Sequence, residues 1–314
     1  MSYGKLRFEH LRVYISLLQI GSFSECAKLI GKSQGTISNI VNDIEETLGG
    51  IRLIKRNAKN FEITEAGRIF ATHAQEILNK AEDLYSKLKQ IDLSQPYEIY
   101  IGSSSIPGEF ILPKFIMEFT KERKDIKVNV QIGNSLTAIN LLLNGKVNFV
   151  AVGGFLTYDI NYFDMIEIGE DHIEFVTSKK SPLILELKKL KNDVDLSEIL
   201  TPISKYTLIM REKGSATREV FMEKFPIMKE NLKIEMEFTN NVSLIQTLLT
   251  TNAVSVISSL FLEKSPFGDL IMPLRHSNLP RIERRFYLVK IKGRELPKIE
   301  MDFWNYVKDF KNNR

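Results

Sequence analysis

One cysteine, Cys26, occurs in 314 residues, so no internal disulfide can form. The four histidines, His10, His73, His172 and His276, lack companions at ligand spacing, and no metal site is expected. There is no Gly-rich phosphate loop and no nucleophile with a nearby base. The run Ser103-Ser104-Ser105 is not a G-x-S-x-G elbow. Neither an enzyme nor a cofactor is therefore indicated. No apolar run approaches the roughly 18 residues that a membrane span needs. The first residues, Met1 to Lys5, lead into a mixed polar segment without the apolar core of a signal peptide. The expected location is the reducing cytoplasm. Forty-three basic residues face 39 acidic ones, a net charge of +4. Any nucleic-acid binding must come from a local patch.

The length suits two or three domains of about 100–200 residues. Phe8, Leu11, Tyr14, Ile15, Leu17 and Leu18 fall on one side of a helix that Gly21 ends. Ser22 then caps a second helix that buries Phe23, Cys26, Ala27, Leu29 and Ile30 and stops at Gly31. Ser33 caps a third, with Ile37, Ile40, Val41, Ile44 and Leu48 as its apolar stripe. Short helices joined by a tight glycine turn have the pattern of a helix-turn-helix. In that motif the second helix enters the major groove, and its first residues meet base edges. Those residues would be Ser33, Gln34, Gly35, Thr36, Ser38 and Asn39, with Ser22 at the start of the preceding helix also a candidate DNA contact. Gln and Asn can pair bidentately with adenine, and Ser and Thr can reach bases or phosphates. Taken alone, the same residues also describe a capped helix with a solvated face.

The following stretch adds charge. Arg52, Lys55, Arg56 and Lys59 come with no acid between them, on short strands at 51–55 and 61–63 around a turn at 57–60. A basic hairpin beside the third helix can clamp phosphates, which position a protein without reading sequence.

The run Gly21-Ser22-Phe23-Ser24, Ala27, Ser33-Gln34, Ile44-Glu45-Glu46, Leu48-Gly49, Arg52-Leu53 and Thr64-Glu65-Ala66-Gly67 resembles the signature of LysR-type transcriptional regulators. The family often has Pro where Gly35 stands and Arg where Asn39 stands, and Gly49-Gly50 adds a residue before the wing. The resemblance implies a winged helix-turn-helix over 1–63, a linker helix over 64–92 and an effector-binding domain over 93–314.

Thr64 caps the connecting helix, and Glu65 suits the positive end of its dipole. Phe70, Ala74, Ile77, Ala81, Leu84, Leu88 and Ile91 recur at alternating steps of four and three, an a/d seam. Charged and polar residues fill the intervening positions, which favours a coiled coil over a core helix. The resemblance likewise implies a homodimer through this helix, with pairing of dimers into a tetramer common in the family. A symmetric dimer would present two reading helices to two half-sites of double-stranded DNA.

From residue 97 strands and helices alternate: strands at 97–102, 126–132, 149–153, 174–178, 207–211, 233–237, 254–258 and 285–291, with helices between them. That pitch argues a parallel α/β sheet, whose ligands bind beyond the carboxyl ends of strands. Ser103, Ser104, Ser105, Asn134, Ser135, Gly154, Arg211, Ser215, Thr217 and Asn240 fall at such places. Each alone is an ordinary cap or turn residue. A shared cleft of hydroxyls, backbone N–H groups and one arginine would suit a small anion.

The family likeness continues through Ile101-Gly102-Ser103-Ser104, Pro107-Gly108, Arg211 to Arg218 and Arg284 to Val289. It implies the architecture of periplasmic binding proteins: two α/β subdomains, about 97–176 with 274–314 and about 177–273, crossing near Val176 and Pro273. The alternative is a small-molecule-binding module with no DNA-regulatory role.

Overall fold

The computed structural model describes residues 6–57, 60–89, 96–154, 158, 160–225, 234–279 and 281–312. Lys59 of the wing and Ile91 of the seam lie outside them.

Three helices open the chain: α1 (Phe8–Ile20), α2 (Phe23–Ile30) and α3 (Gln34–Thr47). Their shared core holds Tyr14, Leu17, Cys26, Ile37, Val41 and Ile44. Phe8, expected on the apolar side of α1, is exposed at the helix start, while Val13 is buried. Gly21 and Gly31 close the first two helices as expected. After α3 both Gly49 (φ 77°) and Gly50 (φ 86°) are left-handed. Their amides donate to Glu46 O and Glu45 O and turn the chain toward the wing. A side chain at either position would strain this turn. The wing itself is an antiparallel pair, β1 (Ile54–Asn57) and β2 (Asn60–Ile63), so the first strand starts later than the sequence suggested.

The connecting helix is α4 (Glu65–Lys89), capped by Thr64 Oγ1, which accepts from Gly67 N. The expected seam divides. Phe70 and Ala74 pack within the chain, with Leu11, Leu78 and an edge-to-face contact to Tyr14. Ile77, Leu84 and Leu88 are exposed. The same three-and-four spacing that builds a coiled coil also seats a helix on a neighbour, and α1 takes the first turns.

After the connecting helix come β3 (Tyr97–Ser104), α5 (Ser105–Phe110), α6 (Leu112–Thr120), β4 (Ile126–Gly133), α7 (Ser135–Leu143) and β5 (Phe149–Val152). Then follow β6 (Phe163–Ser178), α8 (Leu183–Lys188), α9 (Leu196–Ile203), β7 (Leu208–Arg211), α10 (Ala216–Lys224) and β8 (Ile234–Phe238). The chain closes with α11 (Asn241–Thr250), β9 (Val254–Ser258), α12 (Ser259–Lys264), β10 (Ile271–Pro273), β11 (Ile282–Ile291) and α13 (Lys298–Asn312). The strand order is β4-β3-β5-β11-β6-β9-β7-β8, with β10 paired to β6.

The sheet is mixed, which corrects the expectation of a parallel one. Pairs β3/β4, β3/β5, β7/β8 and β7/β9 are parallel, whereas β11 and β6 pair antiparallel with each other and with their other partners. Two α/β halves result, joined by the long β6/β11 ribbon. Residues Ile173 to Thr177 of β6 already pair with β9 of the second half. The chain therefore passes between halves upstream of Val176, and returns along β11 after Pro273. The sequence hid this because the first part of β6 carries Asp164, Glu167, Glu170 and Asp171, a charge density untypical of a central strand.

Candidate functional site

Two regions carry chemistry. In the head, Ser33 Oγ accepts from Thr36 N at 3.1 Å and bonds the Thr36 hydroxyl at 2.8 Å. Ser22 caps α2 through Glu25 N at 3.4 Å. Gln34 Oε1 accepts from Ser24 Oγ at 2.8 Å, which ties the start of α3 to α2. Gln34, Gly35 and Asn39 are exposed, and Thr36 and Ser38 are half-buried. A side chain at Gly35 would meet only Ser33 Oγ, at an ordinary 3.7 Å, so glycine is not required there.

The wing's charges are not equivalent. Arg52 donates to buried Glu45 at 2.6 Å, and Glu45 also accepts from Leu53 N at 2.8 Å. Arg52 thus pins the wing to α3. Lys55 is exposed and meets Glu62 across the hairpin at 3.2 Å. Arg56 lies one residue further along β1.

In the effector domain one small cavity gathers Ser104, Ser105, Asn134 and Ser135 from the first half with Arg211, Ser215 and Thr217 from the second. Its void is about 20 Å³, room for about one water. The halves stand closed on each other. Asn134 Nδ2 donates to Glu212 Oε1 at 2.9 Å, and Leu136 N to Gly214 O at 3.1 Å. Gly214 has φ 89° and a Cβ there would strike Leu136 at 2.9 Å, so glycine is needed for this approach.

Some expected residues stand elsewhere. Ser103 Oγ donates to Ala151 O and Ser104 O inside the sheet and does not line the cavity. Asn240 is exposed and caps α11 through Ser243 N at 2.8 Å. Gly154 sits against Ala216, whose Cβ is 3.4 Å from where its own would be. Strand-end position does not distinguish a residue facing the cleft from one facing the sheet.

Arg211 reaches the cavity, but its guanidinium is committed to Glu212, Asn241 Oδ1 and Thr239 O. Burial raises the Glu212 carboxyl, but Arg211 and Asn134 more than offset it and hold its pKa below the usual range. Burial pushes the nearby Glu109 upward, with Arg211 opposing.

Arg284 and Phe286 also line the cavity and were not among the expected site residues. Arg284 is buried, donates to both oxygens of Asp171 at 2.9 and 2.7 Å, to Thr217 Oγ1 at 2.9 Å, and lies over the Phe286 ring. Asp171 in turn accepts from Ser258 Oγ. Arg284 shares the alternate positions of Ile282, Phe286 and Leu288 on one strand face, which was the available signal, but its acid lies 113 residues away. Ser135 Oγ is buried in this wall and, among the described residues, has no hydrogen-bond partner. Also among the described residues, no His/Cys/Asp/Glu group could hold a metal, and no helix is long and apolar enough to cross a membrane.

Residues 8–68 match the family described as bacterial regulatory helix-turn-helix protein, lysR family, and residues 95–311 match the LysR substrate binding domain. The chain belongs to the LysR family of transcriptional regulators. This regulator is 28% identical over 306 residues to an uncharacterised HTH-type transcriptional regulator, MJ0300, of Methanocaldococcus jannaschii, covering 96% of this chain and 98% of that one. Its fold matches full-length CbnR complexed with its target DNA (TM-score 0.52, 17% identity, 97% and 99% covered). It also matches the CcmR regulatory domain of Synechocystis PCC6803 in complex with 2-PG (TM-score 0.58, 19% identity, 69% and 98% covered). At these identities the structural matches speak for the fold alone.

Proposed function

We propose that this LysR-type regulator acts in the cytoplasm, by binding rather than catalysis. It binds an interrupted DNA palindrome as a dimer or dimer of dimers, and a small anion entering the cleft modulates it. In the head, Gln34, Thr36, Ser38 and Asn39 read bases, while Lys55, Arg56 and Lys59 hold phosphates. Arg52 acts as a brace rather than a phosphate clamp. The exposed Ile77, Leu84 and Leu88 provide the dimer seam, with Ala81 between them.

The observation that carries the effector reading is the unpartnered, buried Ser135 hydroxyl in a wall built from both halves. An orphaned buried hydroxyl costs about 1–3 kcal/mol, which a ligand oxygen would recover. The two arginines are already neutralised by Glu212 and Asp171. Attraction for an anion therefore rests on the starts of α7 and α10, which face the cavity with positive dipole ends. Ser215 makes no side-chain cap on α10, which leaves its first turn open to a ligand. Because the void holds only about one water, an effector of metabolite size must select a more open arrangement of the halves. Its affinity for that state over the closed one sets the signal passed to the heads.

Isothermal calorimetry on the full chain with 2-PG, shikimate and sulfate tests this. Binding of one of them, weakened by Ser135→Ala and Thr217→Val, supports the cleft. Binding that neither substitution alters removes it. For the head, Arg56→Ala should weaken specific and random DNA alike and lower the salt slope by about 1. Gln34→Ala should instead change sequence preference.

A further inference from the structure

A larger opening lies away from the cleft, in the second half. It is a groove of about 450 Å³ between the end of β6, the end of α8 and residues 274–279 and 281, ahead of β11. That volume falls in the range of sites for small organic molecules, about 300–1,000 Å³. Its floor is apolar: Phe175, Leu187, Leu274 and Leu279 are buried core residues, and Leu190 adds to the wall. Its rim is cationic. Lys188, Arg275 and Arg281 line it against one acid, Glu174, and Arg281 already holds that acid at 3.1 Å. Lys188 and Arg275 are exposed, which leaves net positive charge over an apolar floor.

The rim is built in advance. His276 Nε2 donates to Lys191 O at 3.0 Å, Ser277 Oγ to Asn192 O at 2.8 Å, and Asn278 Nδ2 to Val194 O at 2.8 Å. These bonds hold one wall against the turn after α8, and Leu274 N anchors its base to Phe175 O at 2.8 Å. A preformed wall lowers the ordering cost of binding.

We propose that this groove is a second small-molecule site, for an amphiphilic anion with a flat or short apolar body and one carboxylate. The body lies on Phe175 and Leu279, and the carboxylate meets Arg275 and Lys188. The site touches Glu174 and Arg281, which flank the terminal β6/β11 rung, Ile173 with Ile282. It therefore bears on the ribbon that joins the halves. The inference goes beyond the cleft reading and does not depend on it.

Ligand-observed ¹⁹F NMR with 4-(trifluoromethyl)benzoate on the full chain is the test. Saturable binding is expected, with a Kd below about 1 mM. The double variant Lys188→Glu/Arg275→Glu alters only exposed side chains and should weaken binding at least about tenfold. Ser277→Trp, which fills the groove, should remove it, and Ser105→Trp in the cleft should leave it unchanged. The uncharged 4-(trifluoromethyl)benzyl alcohol should bind more weakly than the acid. No saturable binding up to about 10 mM, or binding indifferent to the groove variants, overturns the proposal. Binding lost only with Ser105→Trp also overturns it and assigns the probe to the cleft instead.

Discussion

The head and the effector domain each contain a carboxylate–arginine pair that joins two elements, and the pairs differ in how far water reaches them. In the head the Glu45 side chain is 2% exposed but Arg52 is 66% exposed. In the effector domain Asp171 and Arg284 are 1% and 3% exposed. Half of the first pair is solvated whether or not it forms. The second has both charges withdrawn, and each depends on the other. The head can lose its arginine and keep its fold, because Glu45 still accepts from Leu53 N. The ribbon between the halves cannot lose either partner cheaply.

Asp171→Asn is therefore expected to have the largest effect. It leaves a buried guanidinium uncompensated, at a cost of about 3–5 kcal/mol. Urea unfolding of the full chain measures it, and Asp171→Leu/Arg284→Met should recover most of the loss. A single-variant loss below about 1 kcal/mol would make the two pairs equivalent and end the comparison.

Glu45→Ala comes next, because charged hydrogen bonds contribute about 1.5–3 kcal/mol each. Arg52→Ala should cost less than about 1 kcal/mol, as an exposed partner does. Cys26 reports on the head alone: burial pushes its thiol up to about 12, so alkylation near neutral pH requires opening. Labelling by iodoacetamide should be faster in Glu45→Ala than in Arg52→Ala.

The connecting helix belongs to both regions. Charging its open half with Ile77→Glu/Leu84→Glu should weaken the dimer at least tenfold, about 1.4 kcal/mol. Cys26 labelling should not change, since neither side chain is in the core. Light scattering against concentration decides, and an unaltered oligomer would place the dimer contact elsewhere.

The smallest effect concerns pH. Glu212 has a lowered pKa, so its contribution is present above the unfolded carboxyl value of about 4.3. It is lost as pH falls through the lowered folded value. The stability gap between the parent and Glu212→Gln should be constant near neutral pH and close across that acid window. A gap that persisted below it would show that Glu212 acts by shape and not by charge.

Much of the head was legible in the sequence because its determinants are local. Ser22 and Ser33 cap helices whose amides lie three residues on, and Gly21 and Gly31 turn the chain where they stand. The alternation of strands and helices after residue 97 likewise determined an α/β sheet, though not its mixed strand directions, and the strand-end rule placed Ser104, Ser105, Asn134, Ser135, Arg211, Ser215 and Thr217 near one cavity. Tertiary structure decided the rest. The hydroxyls of Ser103 and Ser104 both donate to Ala151 O, yet only Ser104 lines the cavity, and this depends on which strand lies alongside. Whether Phe70 and Ala74 serve a dimer or the chain's own core depends on α1. Arg211 is neutralised by its sequence neighbour, whereas Arg284 meets Asp171 across 113 residues only because β6 and β11 pair antiparallel. Capping and periodicity act within a few residues, so sequence determines them. Charge pairing and burial act through space, so only the packed chain decides which arginine is free.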